Sequence, residues 1–164
     1  MATRLDITQT FPADAAAVRA AQADPAYIAF RGERTGASAV TSEVATQADG
    51  SVKITVERVL PADVPSYAKS MIGDTITVNE TYVWSAPDAN GNATGTMEAR
   101  FSAPITCNAT MVMRADGDAT TIVTTGEFKA SIPFVGGKIE DLARQQIERY
   151  LRKEESLMAE WLSR

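Results

Sequence analysis

One change of hydrophobic period, near residue 136, limits what this chain can fold into more than any other feature. From about Ala37 to Ile132 apolar and polar residues alternate, the pattern of strands with one face on a core and the other in water. From Gly137 onward Ile139, Leu142, Ala143, Gln146, Ile147, Tyr150, Leu157, Met158 and Trp161 recur at helical steps. Neither Gly nor Pro interrupts Lys138–Arg164, so one long amphipathic helix is predicted to the end of the chain. Glu140 and Asp141 lie in its first turn and Arg152 and Lys153 nearer its last, as the helix dipole favours. A sheet apolar on one face and a helix apolar along one stripe bury each other, which predicts an α+β fold.

The strands are punctuated clearly. Arg4–Phe11 alternates, with Leu5, Ile7 and Phe11 on one face, and Pro12 ends it. Asp14 caps an Ala-rich helix through about Ala23, and Asp24-Pro25 opens a second over Ala26–Phe30, closed by Gly32 and Gly36. A carboxylate at the cap accepts backbone N–H bonds, and Pro suits the first helical position. Six strands follow, at Ser38–Thr46, Ser51–Leu60, Asp74–Ser85, Ala93–Phe101, Thr106–Ala115 and Ala119–Ile132. Turns at Ala48-Asp49-Gly50, Pro87–Asn92 and Asp116-Gly117-Asp118 separate neighbours, with Asp-Gly supplying positive φ. Pro61–Gly73 breaks the rhythm and reads as a short helix capped by Asp63 or Ser66, with Val64, Tyr67, Ala68, Met71 and Ile72 on one apolar face. Gly136-Gly137 is expected to free the strand-to-helix corner. No repeat or linker divides the chain, so one domain over 1–164 is expected.

Composition removes several chemistries. There is no His and a single Cys, Cys107. A Ser-His-Asp or Cys-His site, a His-ligated metal, an intrachain disulfide and a two-Cys zinc or redox motif are therefore excluded. The net charge is −5 with no basic stripe, which argues against nucleic acid and anionic membrane surfaces as partners. No run of 18 apolar residues is present, so no stable membrane insertion is expected. The start, Met1-Ala2-Thr3-Arg4-Leu5-Asp6, lacks a basic region followed by an apolar run; no secretory signal and a cytoplasmic location are expected. On the same ground the three Asn-x-Thr sequons at Asn79, Asn92 and Asn108 read as chance.

The order strand, two short helices, six strands and long C-terminal helix resembles the START-like helix-grip superfamily of lipid-transfer domains, pollen-allergen-type proteins and polyketide cyclases. The residues that carry the likeness are Phe11-Pro12-Ala13-Asp14, Asp24-Pro25 and the closing Trp161-Leu162. Leu60-Pro61-Ala62-Asp63-Val64-Pro65 and Pro133-Phe134-Val135-Gly136-Gly137-Lys138-Ile139-Glu140 are further similar to an uncharacterised, largely actinobacterial branch of it. The resemblance implies a curved antiparallel sheet of about seven strands around the C-terminal helix. It also implies a cavity between sheet and helix that holds an apolar ligand. It implies no chemistry and no cofactor, since one fold hosts many functions.

The candidate lining comprises Trp84, Met97, Phe101, Met111, Met113, Phe134 and Tyr150, adaptable apolar groups suited to a lipid, sterol or polyketide-like ligand and equally suited to a filled core. Arg58 and Glu80 interrupt otherwise apolar strand faces. They read as a polar pair in the cavity, or as charges turned to solvent at a bulge or strand end. Tyr67 and Met71, with Gly73 as hinge, read as a lid over the cavity mouth or as a plain connection. Gly136-Gly137-Lys138 lacks the remaining P-loop residues and reads as a tight corner. Cys107 reads as an inert core thiol. Binding or transport of a small hydrophobic ligand is the expected function. The alternatives are a cyclase or dehydratase-type enzyme using Glu80 as base with Tyr82 or Tyr150 as donor, and a protein-interaction module.

Overall fold

The computed structural model describes residues 2–164. Strand β1 (Thr3–Phe11) leads into α1 (Ala15–Gln22) and α2 (Pro25–Arg34). Asp14 and Asp24 cap the two helices, accepting from the backbone N–H of Ala17 at 2.8 Å and of Ala26 at 2.9 Å. The chain then runs through β2 (Ala39–Thr46), β3 (Val52–Pro61), α3 (Ser66–Ile72), β4 (Thr75–Trp84), β5 (Ala93–Phe101), β6 (Ile105–Asp116) and β7 (Ala119–Ala130). It ends in α4 (Gly136–Leu162), 27 residues long. The second helix continues one turn beyond the expected Phe30, and that turn carries Arg31.

All seven strands pair antiparallel in the order β1-β7-β6-β5-β4-β3-β2. The strands after α2 form a meander, and β1 closes on β7, so β1 and β2 are the edges. One face is buried: Leu5, Ile7 and Phe11 of β1 share it with Ile54 and Val56 of β3, Met97 and Ala99 of β5, and Cys107, Met111 and Met113 of β6. The curved sheet grips α4, as the resemblance implied. Ile139, Ile147, Leu151, Leu157 and Met158 form its buried stripe. Burial of each such side chain contributes about 1.5–3 kcal/mol, and this apolar stripe is the main attachment of α4. Glu140 pins the start of the helix: its carboxylate accepts from the Ala130 backbone N–H at 2.8 Å and from the Thr3 hydroxyl at 3.0 Å.

Gly32 and Gly126 mark the tightest approaches. A Cβ on Gly32 would lie 2.3 Å from Val40 Cγ2, so α2 can rest directly on β2. A Cβ on Gly126 would lie 2.1 Å from the Asn108 carbonyl oxygen and 2.6 Å from Ala109 Cα, its opposite number on the paired strand β6. Backbone cannot yield as a flexible side chain can, so Gly126→Ala is expected to cost about 3 kcal/mol and lower Tm by about 5–10 °C. Thermal unfolding followed by circular dichroism checks this; an unchanged Tm would show that the two strands are not so closely apposed.

Candidate functional site

The buried face of the sheet carries charge where β3 meets β4. Val56 pairs with Glu80 and Val78 with Arg58, which sets Arg58 and Glu80 on a diagonal, a separation of about 7–8 Å that long side chains span. Arg58 Nε donates to Glu80 Oε1 at 2.6 Å, and both side chains are almost fully buried. Tyr82, two residues along the same face, donates its hydroxyl to Glu80 Oε2. Ala99 pairs with Glu80 on one side and Cys107 with Ala99 beyond it, small groups that leave the carboxylate room. Burial alone would raise the Glu80 carboxyl, but the charges of Arg58 and Arg31 and the hydrogen bonds from Tyr82 and Arg58 outweigh it and hold the pKa below its ordinary value. Burial, and then the nearby Glu80 charge, push the Cys107 thiol up to about 12, which keeps it protonated and unreactive.

A second buried pair spans the helices. Arg31 Nη1 donates to Glu154 Oε2 at 2.6 Å. Tyr27 donates its hydroxyl to the same oxygen at 3.2 Å, and Gln9 Nε2 donates to Glu154 Oε1 at 3.0 Å and to the Leu151 carbonyl at 2.8 Å. This cluster ties β1, α2 and α4 together. Tyr150 stands between the two pairs, with the Arg58 and Arg31 guanidiniums 4.1 Å and 5.4 Å from its ring centroid. Burial raises the Tyr150 hydroxyl and the two guanidiniums oppose that, leaving it at about 12; it is a proton donor at neutral pH.

Two cavities meet at Tyr150 and Ile147, which line both. The inner one holds about 30 Å3 and is reached by Gln22, Arg31, Glu80, Trp84, Met97 and Met111. The outer one is a groove of about 630 Å3. One wall is the sheet end at Arg58, Leu60, Val78 and Phe101; the other is α4 from Gln146 to Lys153. Val64 and Ile72, flanking α3 and at its end, complete the rim.

Of the residues expected to line a site, Glu80, Trp84, Met97, Met111 and Tyr150 thus reach the inner cavity, and Arg58, Phe101 and Tyr150 the groove. Met113 is fully buried in the core and lines neither. Tyr67 and Met71 are exposed and line neither. The cap of α3 is Pro65, with no side-chain hydrogen bond from Asp63 or Ser66. Its helical phase points Ala68 and Ile72 inward and leaves Tyr67 and Met71 about a quarter turn away. The corner before α4 also differs from expectation. Phe134, not a glycine, takes the left-handed conformation at φ 67°, and Gly136 and Gly137 belong to the first turn of α4. Phe134 is turned fully into solvent.

Sequence reasoning missed Arg31, Glu154, Gln9 and Tyr27. A signal for two of them was present: Glu154 falls at i+7 from Ile147 in the apolar stripe, and Gln9 lies between Ile7 and Phe11 on the buried face of β1. A polar residue in an apolar period marks a buried partner.

The fold is the START-like helix-grip fold. The chain belongs to the family described as protein of unknown function (DUF2505), whose sequence profile matches residues 6–162. Among solved structures it is similar to a START superfamily protein from Mycobacterium smegmatis, at 13% identity and a TM-score of 0.57, covering 96% of this chain and 98% of that one. It is similar also to TTHA0849 from Thermus thermophilus, at 18% identity and a TM-score of 0.55, covering 95% and 92%. The Zhui aromatase/cyclase from Streptomyces sp. R1128 aligns at 16% identity and a TM-score of 0.51, covering 97% and 89%. No curated protein matches the sequence. Among the described residues no helix is long and apolar enough to cross a membrane.

Removing one partner of a buried pair leaves a lone charge, whereas apolar replacement of the whole cluster does not. Glu80→Met is expected to cost about 3–5 kcal/mol in urea unfolding, and Arg58→Met/Glu80→Met/Tyr82→Phe together to lie closer to wild type. A single-variant cost below about 1 kcal/mol would mean the charges are not desolvated. The pH dependence has a definite sign. The folded pKa of Glu80 is depressed, so its contribution is complete above the ordinary carboxylate value of 4.5 and is lost as pH falls through the lower folded value. Between about pH 5 and pH 3 the triple variant should therefore lose less stability than wild type.

Proposed function

We propose that this protein binds a small, largely apolar ligand in the space between its sheet and C-terminal helix. The observation that carries the reading is the groove of about 630 Å3 with Leu60, Val64, Ile72, Val78, Phe101 and Ile147 on its walls. That volume lies within the roughly 300–1,000 Å3 usual for small-molecule sites, and apolar walls with few polar groups are their common chemistry. The likeness of the fold to a START superfamily protein and to an aromatase/cyclase supports the same reading. The enzyme alternative gains nothing from Glu80: both its oxygens are engaged, and a carboxyl held below its ordinary value is a weak general base at neutral pH.

Nile red, an uncharged dye that brightens in apolar surroundings, tests this. It is expected to bind with one-to-one stoichiometry. Val64→Trp places an indole at the half-buried rim of the groove. It should weaken the dye by at least about tenfold, or 1.4 kcal/mol, with little change in Tm. Absence of binding, or binding that Val64→Trp leaves untouched, counts against the groove as the site.

A further inference from the structure

Among the described residues three buried polar atoms have no hydrogen-bond partner: the Tyr150 hydroxyl, Arg31 Nε and Gln22 Oε1. All three side chains line the same inner cavity. Tyr150 and Arg31 are 7% and 5% exposed. Buried polar groups are nearly always paired, so three orphans on side chains that line one small space are a feature to explain. Two of them, a hydroxyl and a guanidinium N–H, are donors; the third is an amide oxygen.

The charges around them are already matched. Arg31 is paired with Glu154 and Arg58 with Glu80. The second oxygens of both carboxylates are filled as well, by Tyr82 on Glu80 and by Gln9 on Glu154. A carboxylate or phosphate entering here would add an uncompensated negative charge to a desolvated, neutral cluster, at high cost. An uncharged oxygen adds none, and its two lone pairs match in number the two free donors. The inner cavity, at about 30 Å3, admits a group of that size and no more. It adjoins the apolar groove through the shared walls of Tyr150 and Ile147.

We propose that the ligand is an uncharged amphiphile whose apolar body lies in the groove and whose single carbonyl or hydroxyl oxygen reaches inward to the Tyr150 hydroxyl and Arg31 Nε. This rests on the ligand-binding reading above and names the ligand's chemistry. Tyr150 and Arg31 donate to the oxygen. A ligand hydroxyl also donates to Gln22 Oε1, which a ketone does not.

Displacement of Nile red by undecyl methyl ketone, the corresponding alcohol, tridecane and tridecanoate tests it. The ketone and alcohol are expected to compete at least about tenfold better than tridecane and tridecanoate. Tyr150→Phe keeps the ring against both guanidiniums and removes only the hydroxyl. It should erase most of the ketone's advantage while leaving tridecane unchanged. Gln22→Leu should weaken the alcohol and spare the ketone. Equal competition by ketone and tridecane, preference for tridecanoate, or indifference to Tyr150→Phe would overturn the proposal and leave the apolar-ligand reading standing. Failure of Nile red and every competitor to bind overturns both.

Discussion

Four charged side chains, Arg31, Glu154, Arg58 and Glu80, are held out of water between the sheet and α4. Each would be prohibitively unfavourable alone, and desolvation is offset only because every charge meets its opposite at 2.6 Å and the carboxylates accept further hydrogen bonds, Glu154 from Tyr27 and Gln9 and Glu80 from Tyr82. The requirement is geometric as well as electrostatic. Glu154 must lie on the inner stripe of α4 at the height of Arg31 on α2, and Arg58 must fall on the diagonal from Glu80. The apolar stripe supplies most of the attachment of the helix. The charge pairs fix its rotation and register, because a slip of one residue would strand Glu154 unpaired.

The same pairs account for the space beside them. Where Arg58, Glu80 and Tyr150 stand, no aliphatic side chain is available to fill the end of the sheet–helix gap. The apolar residues beyond them, Leu60, Val64, Ile72 and Phe101, pack against the edge of the core and line the groove. Tyr150 sits where charged interior, small inner cavity and apolar groove come together, its ring against both guanidiniums and its hydroxyl free. Binding of an apolar body would complete a core that the chain's own side chains leave open.

Much of the fold was legible in the sequence, and for identifiable reasons. The two hydrophobic periods, the Asp14 and Asp24 caps and the Asp-Gly turns are local signals, and local signals set elements. Arg58 and Glu80 were legible too, as charges inside an apolar alternation. Arg31 was not, because α2 reads as closing at Gly32, whereas that glycine serves the close approach to Val40 inside the helix. Tyr67 and Met71 could not be told from Ala68 and Ile72 by sequence, since a seven-residue helix is too short for its apolar stripe to define a phase. Phe134 looked like lining because it is large and apolar, but its exposure follows from a backbone corner that hydrophobicity does not encode. The joining of the two ion pairs around Tyr150 depends on tertiary placement of two helices and a sheet, which no local pattern carries.

The measurement that bears most directly on the cavity as a binding site is a crystal structure of the protein soaked with undecyl methyl ketone. The expected result is continuous density for the alkyl chain between α4 and the wall formed by Leu60, Val64 and Ile72, with the ketone oxygen within hydrogen-bonding distance of the Tyr150 hydroxyl. Density only on the outer surface, or Val64 and Ile72 packed against Ile147 with the groove closed, would contradict it.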